Sequence, residues 1–372
     1  MKQLADLLKS EEGTEFLREN EIYTHPAQFT TQLKKPTVLF GAKQDPIDKP
    51  VVYAGQQIYL DYTASVRDKI QLLAELDGPI DSFFLWLDTD RSGSDKLISK
   101  IIWPVDETQV SISISTGKNK NIETRFVKLD QKQIRSSIDR LGTLIRQTNP
   151  SQKAIESYSA LRKLFSETNA STLAELNLEV TSFLVEDYLQ VSINNIIASQ
   201  LIQDPIVLDA LKCLISQREG VIEAYNNSVQ KLVELGIDPQ VRKLPPFYLP
   251  LHFSCDQDNT RVNLTYNKKG EDHYAAGECK CGKTFEFFIG SNTNVNLDEV
   301  VSTNRWSPDV TLPLLLREGI SGAIVGKSSA LYGIVLNQVL KEALSKTPVP
   351  MLVPNSSGDT NPQSLIHNYI NQ

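Results

Sequence analysis

The sequence is poor in cysteine and has no long apolar run, and each absence excludes a class of protein. Its 372 residues include four cysteines, too few for the disulfide framework of a small secreted domain. No apolar run approaches the roughly 18 residues that a membrane-spanning helix needs. The N-terminal segment turns acidic at once and has no apolar core, which argues against a secretory signal. We therefore expect a cytoplasmic protein with no membrane partner.

An excess of basic residues is also lacking. The chain has 38 Lys and Arg residues against 45 Asp and Glu residues, which gives a net charge of −7. Without a basic surface, nucleic acid is not expected as a partner. Hydrophobic residues make up 40% of the chain and charged residues 22%, which is typical of an ordinary globular protein.

The first half of the chain alternates strand-like and helix-like segments. Short apolar runs predict strands at 37–40, 51–54 and 83–87, and apolar residues at helical spacing predict a helix over 62–76. The alternation of Ser and Ile at 111–115 predicts a half-buried strand. Strand, helix and strand in this order predict an α/β fold with a mostly parallel sheet.

The middle of the chain, from Gln131 to Leu235, is predicted to be almost continuously helical. Two apolar stripes support this prediction: Leu173, Leu176, Val180, Phe183, Leu184 and Val191 in one, and Ile222, Tyr225, Val229 and Leu232 in the other. The second stripe has the spacing of a coiled-coil seam. It could pack on the body of the protein, as amphipathic helices usually do, or on a second subunit.

Three of the four cysteines cluster. Cys279 and Cys281 flank a single lysine, and Cys255 follows His252 by three residues. The residues at 261–270 look like a hairpin that would bring the two pairs together, as in a zinc ribbon. Four such ligands suit tetrahedral zinc, so the sequence predicts a closed structural site.

Three alternatives to this ligand set remain open. His273 lies in the same hairpin and is a rival fourth ligand. The cysteines could instead be free thiols, or they alone could bind a catalytic zinc with water in the fourth position. Cys213 lies between leucines on a predicted helix, where it is expected to be a small buried apolar residue.

Polar turns follow three predicted strands. They are Gly55-Gln56-Gln57, Asp88-Thr89-Asp90-Arg91-Ser92 and Gly326-Lys327-Ser328-Ser329. Ligands bind at the carboxyl edge of open α/β sheets, so we expect the three turns to open onto one crevice. Carboxylates there can orient an amine, hold Mg²⁺ or act as a base. The third turn begins a helix, whose N–H groups favour a phosphate or carboxylate. The alternative is ordinary polar loops, with Lys327 in solvent.

Several short motifs resemble the bacillithiol biosynthesis cysteine-adding enzyme family, in that family's order. They are the Gln-Gln turn at 51–57 with Lys69 downstream, the strand ending at Trp86 before an acidic cluster, and the segments 235–241, 306–310, 326–332 and 349–351. Here the acidic cluster lacks the family's histidine, and Ile58 to Thr63 replaces a Gly-Pro segment.

The resemblance implies a fold, an activity and site residues. The fold is a Rossmann-like core related to class I aminoacyl-tRNA synthetases, with a helical coiled-coil arm that can form a homodimer. The activity is a ligase reaction that joins cysteine to the amine of glucosaminyl malate at a pocket for an adenine nucleotide, ATP or ADP. Catalytic roles fall on Gln56, Lys69, Asp88 and Asp90, and substrate or nucleotide binding on Gly55, Gln57, Trp86, Arg91, Ser307, Gly326, Lys327, Ser328 and Tyr332. A non-catalytic zinc-binding relative, acting as a binding or scaffolding module, is the alternative.

Five segments are expected on this basis. Residues 1–130 and 291–354 would form the two parts of the Rossmann-like core, and 131–244 the helical region with its arm. Residues 245–290 would form the zinc-ribbon-like β module, and 355–372 a polar tail.

Overall fold

A computed structural model describes most of the chain and shows an α/β protein. The described residues are 1–36, 48–76, 78–105, 108–115, 120–291, 294–309, 312–354 and 364–372. The strands are β1 Ile22–Tyr23, β2 Val51–Gln57, β3 Asp81–Leu87, β4 Lys100–Val105, β5 Thr108–Ser113, β6 Asn195–Ile197, β7 Tyr248–Ser254, β8 Arg261–Lys269, β9 Asp272–Glu278, β10 Thr284–Ser291, β11 Asn294–Val295, β12 Trp306–Pro308, β13 Gly322–Ile324 and β14 Met351–Leu352. The strand predicted at 37–40 and the first half of the predicted tail, 355–363, lie outside the described residues.

The helices occur between these strands. They are α1 Leu4–Leu7, α2 Glu11–Glu19, α3 Pro26–Thr30, α4 Ala64–Leu76, α5 Gln131–Gln147, α6 Gln152–Glu167, α7 Leu173–Phe183, α8 Ala198–Leu201, α9 Pro205–Ser216, α10 Arg218–Glu234, α11 Asp298–Val301, α12 Leu312–Leu315, α13 Lys327–Gln338 and α14 Leu365–Ile370. None of the described helices is long and apolar enough to cross a membrane.

Six strands form a parallel sheet, so the predicted α/β class with a parallel sheet is confirmed. Their order is β1-β14-β13-β2-β3-β6, and every neighbouring pair is parallel. The chain leaves β2 through α4 to reach β3 on one side, and it leaves β13 through α13 to reach β14 on the other. The two central strands therefore lead away in opposite directions, and a crevice opens at such a switch point.

The two faces of this sheet belong to different cores, because successive side chains of a strand point to opposite faces. Tyr53 and Leu85 join a core with α10, α13 and the antiparallel sheet. Ala54 and Phe84 join a second core with α4 to α7 and α14. Each strand of the sheet thus sends alternate residues to two layers, and only one layer contains the antiparallel sheet.

A second, antiparallel sheet surrounds the cysteines. Its order is β11-β10-β9-β8-β7-β12, so β7 to β10 form a continuous meander. The hairpin predicted at 261–270 is present as β8 and β9, and Gly270 in their turn has a φ of +65°, which glycine adopts without strain. In a meander, alternate turns lie at the same end of the sheet. The β7–β8 and β9–β10 turns are therefore neighbours.

The predicted helical region contains α5 to α10, but a strand interrupts it. β6 pairs with β3 and extends the parallel sheet. In α10, Tyr225, Val229 and Leu232 are buried in the same core as α13, so this part of the stripe packs on its own chain. A homodimer through other surfaces of the helical region stays a prediction, as do the segment boundaries.

The strand predicted at 111–115 overlaps β5, which pairs with β4 in a separate two-stranded sheet.

Candidate ligand cavity and metal centre

A cavity of about 550 Å³ opens where the parallel sheet switches direction, against the antiparallel sheet. Its lining includes residues of all three predicted polar turns, among them Gln57, Asp90 and Gly326. Its size is that of a pocket for a small organic ligand. Of the catalytic and binding residues predicted from the sequence, six line it: Gly55, Gln57, Asp90, Arg91, Gly326 and Tyr332.

Strand alternation separates the two glutamines of the first turn. Gln57 follows Tyr53 and Gly55 on the cavity face of β2, whereas Gln56 points to the opposite face. There the Lys69 ammonium donates to the Gln56 Oε1 atom at 2.8 Å and to the Gly55 carbonyl at 2.8 Å. Burial lowers the pKa of Lys69 to about 7, because an apolar environment disfavours the charged amine. Gln56 and Lys69 therefore contact each other rather than the cavity.

The two aspartates of the second turn also have different environments. Asp88 is buried, and its carboxylate accepts the N–H of Ser199 at 2.9 Å and the Ser199 hydroxyl, at the start of α8. Burial raises its pKa, and the hydrogen bonds from Ser199 oppose that shift. Asp90 lies at the cavity, where it accepts hydrogen bonds from Gln57 and from the Arg261 Nη1 atom, the latter at 3.1 Å. Asp90 is thus the carboxylate of this turn that faces the cavity.

Two of the predicted binding residues are buried away from the cavity lining. The Trp86 indole N–H donates to the Asn195 Oδ1 atom at 2.7 Å and so connects β3 to β6. The Ser307 hydroxyl donates to the Glu123 carboxylate at 2.6 Å, and both side chains are completely buried. These contacts stabilise the packing of elements around the cavity.

The third turn forms the N-terminus of α13. Gly326 is the residue before the helix, so no side chain caps the helix at this position. Lys327, Ser328 and Ser329 are exposed, and Ser329 also lines the cavity. Because Gly326 has no neighbour within 4 Å of the position of a Cβ atom, the backbone of the first helical turn is open to an incoming group. Such N–H groups attract anions.

The opposite wall contains a buried histidine that was predicted to bind metal. The His252 Nε2 atom lies 3.1 Å from the Asp309 Oδ1 atom, and the Tyr248 hydroxyl donates to Asp309 Oδ2 at 3.0 Å. His252 is 7% exposed, and its Nδ1 atom has no hydrogen-bond partner among the described residues. Burial raises the pKa of Tyr248 well above its usual value. The sequence signal for Asp309 was its place in the 306–310 motif.

The three clustered cysteines meet one aspartate in the two neighbouring hairpin turns. The ligand atoms of Cys255, Asp258, Cys279 and Cys281 all lie within 4.8 Å of one another, so these residues could hold a metal ion. The Cys255 and Cys281 sulfurs are 3.7 Å apart, and the Cys279 sulfur is 3.6 Å from Asp258 Oδ1. Tetrahedral zinc with ordinary bond lengths requires about 3.8 Å between two sulfurs and about 3.6 Å between sulfur and oxygen. These two spacings match a tetrahedral cation, and the other donor pairs lie within 4.8 Å.

Local backbone hydrogen bonds shape both turns. The Cys279 N–H donates to the Lys283 carbonyl at 2.8 Å, and the Gly282 N–H donates to the Cys279 carbonyl at 2.9 Å. Gly282 has a φ of +89°, a conformation that favours glycine. In the other turn, the Cys255 N–H donates to the Thr260 carbonyl at 2.9 Å. The turns thus hold the sulfurs in place from the backbone.

Asp258, and not His252 or His273, accompanies the cysteines. His252 and Cys255 are three residues apart at the end of a strand, so their side chains point to opposite faces. His273 instead hydrogen-bonds the Tyr266 hydroxyl. The sequence signal that was missed is the Cys-x-x-Asp spacing of 255–258, which has the same length as the two-residue gap in a zinc knuckle.

Burial and hydrogen bonding shift the thiol pKa values in opposite directions. Burial raises the pKa of Cys279 to about 12. The Lys283 N–H lowers that of Cys281. A bound cation would favour the thiolate at both positions.

No protein-family model matches the chain, and no curated protein matches it. The function of the chain therefore has to be inferred from the cavity and the metal centre.

Proposed function

We propose that the chain is a ligase-like enzyme that binds an adenine nucleotide and joins cysteine, or a similar amino acid, to an amine acceptor. The observation that supports this proposal is the cavity at the switch point of the parallel sheet, lined by Gln57, Asp90 and Gly326. Ligand-binding crevices of Rossmann-like cores occupy this position. The position of the cavity at this switch point is also the reason why we propose that the core is Rossmann-like.

The nucleotide would occupy the side of the cavity that α13 borders. Its phosphates would meet the N–H groups after Gly326, with the exposed Lys327 and Ser328 nearby. The adenine ring would pack among apolar lining residues such as Leu312 and Leu336. ATP, when bound, supplies the group that turns a carboxylate oxygen of the amino acid into a leaving group.

The amine acceptor would bind at Asp90. A carboxylate has about four acceptor sites, and the N–H of Arg91, Arg261 and Gln57 occupy three of them. Amide formation joins the amine nitrogen to the carboxyl carbon, expels the activated oxygen, and removes a proton from the nitrogen. His252 would accept that proton at its unpartnered Nδ1 atom, while Asp309 orients the ring.

The proposal predicts nucleotide binding at the N-terminus of α13. At about 100 times its dissociation constant, a nucleotide should add roughly 2.7 kcal/mol to the free energy of unfolding. Thermal-shift measurements with AMP, ADP and ATP, with and without Mg²⁺ and cysteine, test this. In Gly326→Val the new side chain occupies the phosphate approach, so affinity should fall at least tenfold, whereas Thr143→Val on the exposed face of α5 should not change it. The absence of a shift with every nucleotide would contradict the proposal.

The reaction is tested by turnover. We expect ADP or AMP to form from ATP only when cysteine and glucosaminyl malate are both present, as mass spectrometry of the products would show. Asp90→Asn should lower the rate by at least a hundredfold, since it removes the charge that orients the amine.

A second candidate is a non-catalytic binding module, and one observation favours it. Lys69, Gln56 and Asp88, three of the four residues predicted to be catalytic, do not line the cavity and make hydrogen bonds to other parts of the protein. Nucleotide binding without turnover on any amino acid and amine pair would support this candidate over the ligase.

We also propose that the metal is zinc in a structural site. Three sulfurs and one carboxylate oxygen suit zinc, whereas Mg²⁺ and Ca²⁺ prefer oxygen ligands alone. Four protein ligands leave no position for a substrate. Among the described residues, none of the four lines the cavity.

A further inference from the structure

We propose that the metal centre positions the polar floor of the cavity through Arg261, so that metal binding and cavity geometry are coupled. In this proposal Arg261 is a positioning residue, which acts by holding Asp90. The coupling does not depend on which reaction the cavity performs.

The first observation is the place of the metal-binding turn in the chain. Cys255 and Asp258 belong to the β7–β8 turn, and His252 and Arg261 lie three residues outside this pair on either side. Both flanking residues line the cavity. A cation that fixes this turn therefore fixes the end of one cavity strand and the beginning of the next.

The second observation is the set of contacts that Arg261 makes. Its guanidinium is 10% exposed and lies 3.1 Å from Asp90 Oδ1 and 3.7 Å from Glu123 Oε1. The backbone N–H of Arg261 donates to the Asn121 carbonyl at 2.7 Å. Charge pairs that are largely removed from water depend strongly on geometry, so a shift of the Arg261 backbone would change the position of Asp90.

A backbone route runs parallel to this side-chain route. Thr260, the last residue of the metal-binding turn, forms a β-bridge with Ile122. The Ile122 carbonyl accepts the N–H of Ser92 at 2.8 Å, and the Thr124 N–H donates to the Asp90 carbonyl at 3.0 Å. The turn is thus connected to the Asp90 turn through the segment 121–124.

A cation would add a cross-link at the exposed side of the metal-binding turn. Asp258 and Cys281 are exposed, and side-chain support comes from Arg305, which donates to the carbonyls of Ser254 at 2.7 Å and Cys255 at 2.6 Å. Arg305 also donates to the Asn259 Oδ1 atom, and Lys283 pairs with Asp256 across the two turns at 2.7 Å. The Asp258 side of the turn, which leads into Arg261, would be cross-linked to the β9–β10 turn by the cation.

Hydrogen exchange measured by mass spectrometry tests the coupling on the full chain without any nucleotide. Removing zinc with a chelator should speed exchange about tenfold in peptides covering 88–94 and 121–126, as well as in the two metal-binding turns. Peptides from α5 and α6 should not change. Faster exchange confined to 255–260 and 279–283 would overturn the proposal.

Coupling is reciprocal, so a cavity substitution should change the affinity for zinc. Competition with a chromophoric chelator should show three- to tenfold weaker zinc binding in Asp90→Asn and Arg261→Gln, with partial recovery in Arg261→Lys. Lys269→Gln, at the far end of β8, is the matched control and should bind zinc normally. If Asp90→Asn left the zinc affinity unchanged, the proposal would be overturned. That result would mean that the contact between Arg261 and Asp90 does not connect the cavity to the metal centre.

Discussion

At the residue scale, one carboxylate decides the ligand set of the metal centre. Asp258 lies 3.6 Å from the Cys279 sulfur, whereas His252 hydrogen-bonds Asp309 at the cavity. Asp258→Ala removes one of four ligands and should weaken zinc binding by at least the 10- to 100-fold that the loss of an outer-shell partner costs. Zinc content by elemental analysis, after dialysis against a weak chelator, measures this.

Two substitutions serve as controls for this prediction. His252→Asn should keep one zinc per chain, since its ring contacts Asp309. Asp256→Asn lies in the same turn, but its carboxylate pairs with Lys283 at 2.7 Å and should also leave zinc in place. Loss of zinc in His252→Asn alone would return the ligand role to the histidine.

Residue spacing in the sequence located the turns of the site but did not fix which side chains enter it. The Gln-Gln and acidic turns both reach the cavity, yet Gln57 and Asp90 line it and Gln56 and Asp88 do not. The choice depends on strand register, and a shift of one residue exchanges the faces. Asp309 was missed as a site residue because its contact with His252 joins two residues that are 57 positions apart in the sequence.

At the element scale, α14 depends on a buried acid. Asp61 is fully buried, and its Oδ1 atom accepts the N–H of Ile366 at 3.1 Å in the first turn of α14. Burial raises its pKa from 3.8 to about 7, although hydrogen bonds such as that from Ile366 oppose the shift. The folded state therefore holds the proton more tightly than the unfolded state does. The docking of α14 gains stability from this group at low pH.

This shift predicts that α14 becomes less stable as the pH rises. The contribution is complete below pH 3.8 and is lost as the pH rises through about 7, at about 1.4 kcal/mol for each unit of pKa shift. Hydrogen exchange in 364–372 should therefore be faster at pH 8 than at pH 5.5, after correction for intrinsic rates. Asp61→Asn should remove this dependence, and a dependence that persists in that variant would contradict the role of Asp61.

The elements that the sequence predicted well have a strong local pattern. Helix α4 and strands β2 and β3 match the predicted segments closely, because apolar residues repeat at the helical period in α4 and form continuous runs in β2 and β3. β6 was missed inside the predicted helical region. It spans three residues, too few for a period, and its strand conformation depends on pairing with β3, which is far away in the sequence.

At the scale of the whole molecule, the metal centre belongs to the main core. Cys255 and Cys279 are buried in the same apolar cluster as Phe253, Tyr53 and Leu331, which brings together the antiparallel sheet, the parallel sheet and α13. A cation that holds the antiparallel sheet therefore stabilises the packing of both sheets, and its loss should be felt by the elements that share this core.

We accordingly predict that zinc removal shifts the main unfolding transition. Free zinc at about 1,000 times its dissociation constant adds roughly 4.1 kcal/mol, which for 372 residues corresponds to a fall in Tm of about 5 °C on chelation. Calorimetry should show this shift with zinc concentration in the natural chain and in Cys213→Ser, whose cysteine lies on α9 away from the site. Cys281→Ser should have a lower Tm that no longer responds to zinc. If chelation instead produced a separate early transition and left the main one unchanged, the antiparallel sheet would be an independent unit, because a shared core requires the two sheets to unfold together.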